Sequence, residues 1–251
     1  MKRLALLLAA AFMLTSCSQA YTPTDEDRQI EAKASAYAAS EDARLAEQAR
    51  ANYDAKTVAV PAVTDRPLRY LLVGDSLANG AAATEPAKSF RELVATALHK
   101  QAPVETTLAG KAGQGVQLIA PQAAATTGSF DVIVVEVGTN DAGKTDVAAF
   151  RTSYTAMLAD LRAKSPAAAL VCLGPWRDEK TGLAYSEEIM KACAASNGKY
   201  RDLSPLYNTA INRWTTGVMS NGQPAEDNFH PSDTGHYEIA AQIRNALRLD
   251  G

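Results

Sequence analysis

Apolar runs and polar-faced segments alternate along most of this chain. Leu68-Arg69-Tyr70-Leu71-Leu72-Val73 is a short apolar run that stops at Gly74. Runs of this length, rich in branched and aromatic residues and closed by glycine, predict strands. Residues 104–109 predict a second strand. Asp131-Val132-Ile133-Val134-Val135-Glu136-Val137 predicts the clearest one, because its apolar positions are nearly continuous rather than alternating. Residues 167–173, closed by Gly174-Pro175, predict a fourth, and residues 200–206 a weaker fifth. Helical spacing fills the gaps. It covers 89–99, where Ser89 and Glu92 are spaced as a capping box, then 115–125, then a long segment from the cap Asp146 to Lys164, then 186–195. The last helix is expected over 234–249, with Ile239, Ile243 and Leu247 on one face. Continuous apolar strands suit a parallel sheet buried on both faces. Strand–helix alternation predicts a three-layer α/β domain with right-handed crossovers.

The first 66 residues break this pattern. Met1-Lys2-Arg3 is basic and residues 4–14 are apolar, the layout of a secretory signal. The run falls short of the roughly 20 residues that a membrane-spanning helix needs. Leu14-Thr15-Ser16-Cys17 resembles a bacterial lipobox. That resemblance implies cleavage after residue 16 and lipidation of Cys17. Ser18, where an Asp would mark inner-membrane retention, implies the outer membrane if the host is Gram-negative; the host envelope type stays open. Residues 24–56 are rich in Ala, Glu, Asp, Arg and Gln, helical by propensity but with little to bury. Val58-Ala59-Val60-Pro61-Ala62-Val63 reads as an extended linker. The expected organisation is therefore a signal peptide at 1–16, a lipid-anchored stalk at 17–66 and a domain at 67–251, in the bacterial cell envelope.

Composition narrows the function. With 251 residues and 47% hydrophobic content, the chain can build one sizeable core. A net charge of −3 and the lack of any basic cluster argue against a nucleic-acid partner. Cys172 and Cys193 would remain after cleavage, and export would permit a disulfide. The Cα separation decides between a bridge and two buried thiols, and both stay open here. Neither cysteine has a close Cys or His partner, so no metal site is expected. Gly110-Lys111-Ala112-Gly113-Gln114-Gly115 lacks the ending of a phosphate-binding loop. No cofactor is expected.

The candidate chemistry lies at strand ends. Ser76 follows the first strand and Asn140 the third, which puts both at the carboxyl edge where open parallel sheets build their sites. A serine hydroxyl attacks only when a base removes its proton. His230 suits that role, since imidazole titrates near pH 6.5 and can return the proton to the leaving group. It sits in a loop before Pro231 and three residues after Asp227, which would hold its tautomer. The Asn140 amide and the Ser76 N–H are candidate oxyanion donors. The other histidines fit less well: His99 ends a surface helix beside Lys100, and His236 lies inside the last helix. Trp176, Arg177, Tyr185, Trp214 and Phe229 fall on or near loops at this edge. They are either pocket walls or loop packing.

Three strings give this layout a family likeness. Gly74-Asp75-Ser76-Leu77-Ala78-Asn79-Gly80, Gly138-Thr139-Asn140-Asp141, and the stretch from Asp227-Asn228-Phe229-His230 to His236 resemble blocks of the SGNH hydrolases, also called GDSL esterases and lipases. The likeness spans residues 68–249. Three blocks in the right order make it specific where one alone would not. It implies a five-stranded parallel, flavodoxin-like sheet. It places Asp227 rather than Glu226 beside His230. The short Asp–His spacing also separates the chain from the Gly-x-Ser-x-Gly hydrolases. It implies a glycine N–H as a further donor, Gly110 or Gly113, although the Asn that commonly precedes it is absent. The implied activity is that of a serine esterase acting on carboxylic esters, acetyl esters among them, of small molecules or polysaccharide. An O-acyltransferase using the same acyl-enzyme and a non-catalytic binding lipoprotein are the alternatives.

Overall fold

The computed structural model describes residues 24–213 and 228–249. The chain divides into two compact units, Met1–Ala51 and Asn52–Gly251. The described part of the first is helical. Helix α1, Asp25–Lys56, carries Arg28–Asp25 and Arg44–Glu41 pairs one turn apart. Its described side chains are almost all exposed, Ile30 and Tyr37 included. This matches a segment that is helical by propensity and has little to bury.

In the second unit, β1 (Val58–Ala59) is followed by β2 (Leu68–Gly74), α2 (Phe90–Leu98), β3 (Val104–Ala109) and α3 (Val116–Ala124). Then come β4 (Val132–Glu136), α4 (Val147–Lys164), β5 (Ala169–Leu173), α5 (Glu179–Ala195) and β6 (Lys199–Arg201). The chain closes with α6 (Ser204–Asn208), α7 (Asp233–Arg244) and β7 (Leu247–Arg248). Five strands form one parallel sheet in the order β3-β2-β4-β5-β6. This is the expected α/β architecture.

The near-continuous apolar strands are explained by what covers them. Successive strand residues point to opposite faces. Leu71, Val73, Ile133 and Val135 pack against α3, α4 and α5 through Ile119, Phe150, Tyr154, Leu158 and Ile189. Tyr70, Leu72, Val132 and Val134 face the other way, against Phe90, Val94, Ile239 and Ile243 of α2 and α7. Caps fix the helix starts. The Ser89 side chain accepts from Glu92 N, and Asp146 Oδ1 accepts from Ala148 N and Ala149 N at 3.0 Å each. Cys172 of β5 and Cys193 of α5 are bridged, with Cα atoms 6.1 Å apart, which settles the question left open by their spacing.

The expected boundary at residue 67 falls inside this unit. Val58 and Ala59 pair in parallel with Leu247 and Arg248, and Val60 is 4% exposed within the core. The half-exposed Arg66 pairs with the buried Asp131 at 2.7 Å. The segment is extended, as expected, yet it is part of the domain edge. The last helix is also shorter than expected. Asn245 ends it, and Leu247 reaches the core from β7 instead. The fifth strand stops at Arg201, because Pro205 opens a short helix there. Helix α5 starts earlier than expected, where Asp178 caps it through Thr181 N.

Candidate active site

The loop after β2 builds the first part of the site. Gly74 closes the strand, and a Cβ there would sit 2.5 Å from Ala78 Cβ and 2.8 Å from Glu136 O. Only glycine allows the chain to turn this close to β4. Asn79 N then bonds Asp75 O, and Ala81 N bonds Ser76 O at 2.9 Å, making a tight turn that presents the Ser76 hydroxyl. Ser76 is 9% exposed.

His230 comes from a distant loop, and its Nε2 lies 3.1 Å from Ser76 Oγ across 154 residues of sequence. Several contacts hold that loop. Asn228 adopts φ 49°, a left-handed conformation that Asn tolerates. Trp176 Nε1 donates to Phe229 O at 2.7 Å, and the Arg177 guanidinium stacks 4.5 Å over the Phe229 ring. Phe229 meets His230 edge to face at 5.2 Å. Arg213 Nη1 donates to Asn228 O, and Ser232 caps α7. Asp227, Trp214 and Cys17 lie outside the described residues.

Asn140 reaches the same place from the end of β4. Its Nδ2 donates to Asp75 Oδ2 at 2.7 Å and to Gln114 O at 3.2 Å. Thr139 before it is buried. Thr139 Oγ1 donates to Glu136 Oε1 at 3.0 Å and accepts from Trp176 N, while Thr139 O accepts from Arg177 Nε. Gly110 lies against the β2 end: a Cβ on it would be 2.0 Å from Gly74 O, and its φ is +123°. A Cβ added at Gly113 would meet nothing within 4 Å. Of the two glycines, Gly110 is the one lodged beside the serine turn.

Two residues with no assigned role stand at the centre. Asp75 is buried, and its Oδ1 accepts from Leu77 N at 3.1 Å. The same oxygen lies 3.5 Å from Ser76 Oγ, so the single hydroxyl proton is better placed for His230. The Asp75 carboxyl also hydrogen-bonds the Glu136 carboxyl. Burial lifts Glu136 well above the ordinary carboxylate range, and the charge of Asp75 pushes it the same way. Burial also raises Asp75, but the Leu77 N–H, Glu136, His230 and Asn140 oppose it. Both carboxyls are pushed toward their protonated forms, Glu136 the more strongly. A lone acid in the otherwise apolar run of β4 was the signal available in the sequence, since unpaired acids are almost never fully buried.

Other candidates separate cleanly. His99 is exposed at the end of α2. His236 is fully buried, with Nδ1 accepting from Phe90 N and Nε2 on Ala81 O at 2.9 Å, so it ties α7 to α2 and to the serine loop. Trp176 and Tyr185 are core residues, 0% and 5% exposed, so they brace the site rather than line it. Among the described residues no cluster of His, Cys, Asp or Glu fits a metal ion, and no helix is long and apolar enough to cross a membrane.

A serine and an imidazole in hydrogen-bond contact at the carboxyl edge of a five-stranded parallel sheet have the arrangement of a nucleophile and the base that activates it. The chain belongs to the GDSL-like lipase/acylhydrolase family, whose model matches residues 72–237. No curated protein matches it. Solved structures do. One is a carbohydrate esterase family 2 enzyme with a carbohydrate-binding domain from Corynascus thermopiles (Myceliophthora fergusii), 16% identical, TM-score 0.55, covering 73% of this chain and 66% of that one. Another is an active-site mutant of a family two carbohydrate esterase from Clostridium thermocellum, 16% identical, TM-score 0.55, covering 71% and 63%. A third is phospholipase A1 from Streptomyces albidoflavus NA297, 16% identical, TM-score 0.54, covering 71% and 99%. This chain thus spans just under two thirds of the two carbohydrate esterases. At these identities the likeness establishes the fold.

Proposed function

We propose that the chain is a lipid-anchored serine esterase that removes acetyl or other short acyl groups from carbohydrate in the bacterial cell envelope. The observation that carries the reaction is the 3.1 Å contact between His230 Nε2 and Ser76 Oγ. His230 takes the serine proton as Ser76 attacks the ester carbonyl, then gives it to the leaving alcohol. Water, activated by the same imidazole, releases the acid and restores Ser76. Asp227 orients His230. The oxyanion is met by the N–H groups of Ser76 and Gly110 and by Asn140, whose longer bond to Gln114 O is the one a developing charge can replace. Carbohydrate esterases among the structures of like fold support the choice of substrate. The lipobox-like Cys17 supports the location.

The test is acyl release by the chain carrying Cys17→Ser, assayed on acetylated polysaccharide and on short- and long-chain esters. Ser76→Ala should abolish release, and a fluorophosphonate should label Ser76 alone. Asp227→Asn should impair turnover far more than Glu226→Gln. Full activity in Ser76→Ala would remove the covalent mechanism. Acyl transfer to a sugar acceptor without release to water would make the chain a transferase. Intact mass of the wild-type mature protein tests the anchor: an unmodified N-terminus at any residue other than Cys17 rejects it.

A further inference from the structure

The structure assigns Glu136 a part in catalysis that it plays without touching substrate: we propose that it is a positioning residue whose protonated carboxyl holds Asp75, and through Asp75 the amide of Asn140. Glu136 is 1% exposed, at the end of β4, in register with Gly74. Its carboxyl has room because residue 74 is glycine; a Cβ there would lie 3.1 Å from Oε2.

The hydrogen-bond inventory sets the direction. Glu136 Oε1 accepts from Thr139 Oγ1 at 3.0 Å, and Asp75 N approaches Oε2 at 3.4 Å. The Glu136 carboxyl also bonds the Asp75 carboxyl. Two carboxylates cannot bond each other without a proton between them, and two buried like charges in contact are strongly disfavoured. Asp75 gathers the donors that suit an anion: Leu77 N on Oδ1 and Asn140 Nδ2 on Oδ2. Glu136 therefore holds the proton and donates it to Asp75. Among the described residues, the other titratable groups facing the pair are Tyr154 of α4, toward Glu136, and His230, toward Asp75.

The consequence falls on Asn140. One N–H of its amide is gripped by Asp75 at 2.7 Å, which fixes the plane in which the other N–H points. A preorganised donor is worth far more than one that must reorient as charge develops. The shared proton keeps the buried pair at one negative charge rather than two, which limits its opposition to an oxyanion nearby. Without the Glu136 proton, Asp75 would lose a donor and would swing toward Leu77 and Ser76, carrying Asn140 with it.

The proposal rests on the serine-esterase reading for its kinetic test only. Glu136→Gln supplies an N–H to Asp75 and an oxygen to Thr139, so kcat should stay within about twofold, because both hydrogen bonds survive. Glu136→Leu keeps the volume and removes the donor. Its kcat should fall about tenfold or more with KM little changed, a share of the hundredfold or more that loss of an oxyanion donor costs. Glu136→Gln as impaired as Glu136→Leu would mean that a charge is needed, and would overturn the proposal. So would Glu136→Leu at wild-type kcat. Infrared difference spectra between wild type and Glu136→Gln at neutral pH need no turnover and no folded Leu variant. The carbonyl stretch of a protonated carboxylic acid should be present in the wild type and absent in Glu136→Gln. Its absence from both would overturn the proposal while leaving the esterase reading untouched.

Discussion

Acidification from pH 7 to 4 should cost the folded domain about 3 kcal/mol through His236 alone. The ring is fully buried between α2, α7 and the serine loop. Burial lowers its pKa from the ordinary 6.5 to about 4, and His230 pushes the same way, while the Ala81 carbonyl and Asp233 oppose the shift. Protonation would also place a proton on Nδ1, where the Phe90 N–H now donates. The unfolded chain takes up a proton as pH falls through 6.5, and the folded chain does not until about 4. Between those values the unfolded state binds more protons, so stability falls as pH falls. At about 1.4 kcal/mol per pH unit, the gap corresponds to roughly 3 kcal/mol, fully present above pH 6.5 and lost by about pH 4. Urea unfolding from pH 4 to 7.5 measures it, with His236→Gln as the reference. Other titrating groups contribute alike to both proteins, so the difference in slope isolates this ring. Equal slopes would refute the reasoning. So would His236 ring resonances that titrate near 6.5 in the folded protein.

Three further outcomes are expected. Asn140→Ala should lower kcat by about a hundredfold with a smaller effect on KM, as follows from the oxyanion role proposed for its amide; steady-state kinetics decide it, and a pure KM effect would mean that Asn140 only grips substrate. Gly110→Ala should unfold or inactivate the domain, because its Cβ would lie 2.0 Å from Gly74 O, whereas Gly113→Ala should cost only about 1–2 kcal/mol of left-handed strain; thermal melts and turnover separate the two. Replacing Cys172 and Cys193 together by Ala should lower stability by about 3 kcal/mol, the loop-closure entropy of a bridge of this span, with kcat unchanged.

Local pattern in the sequence was enough to define the layers and the edge. Continuous apolar runs at 68–73 and 131–137 could be buried only in a parallel sheet, and the structure puts Val132–Val135 alternately on two covered faces. Caps at Ser89 and Asp146 were legible because a cap is made by residues three or fewer apart. Ser76 and Asn140 were legible because both follow strands, and His230 because it precedes a proline in a loop. What escaped the sequence depended on contacts between distant segments. Leu247 has helical spacing with Ile239 and Ile243, but pairing with Val58 draws it into a strand. Trp176 and Tyr185 looked like candidate pocket walls because polarity and loop position are local, while burial under Phe229 and Thr145 is not. The Cys172–Cys193 bridge needed a separation that only the packing of α5 on β5 supplies. The Asp75–Glu136 pair depends on the register of two strands, 61 residues apart in sequence, and a register is a property of the sheet rather than of either strand.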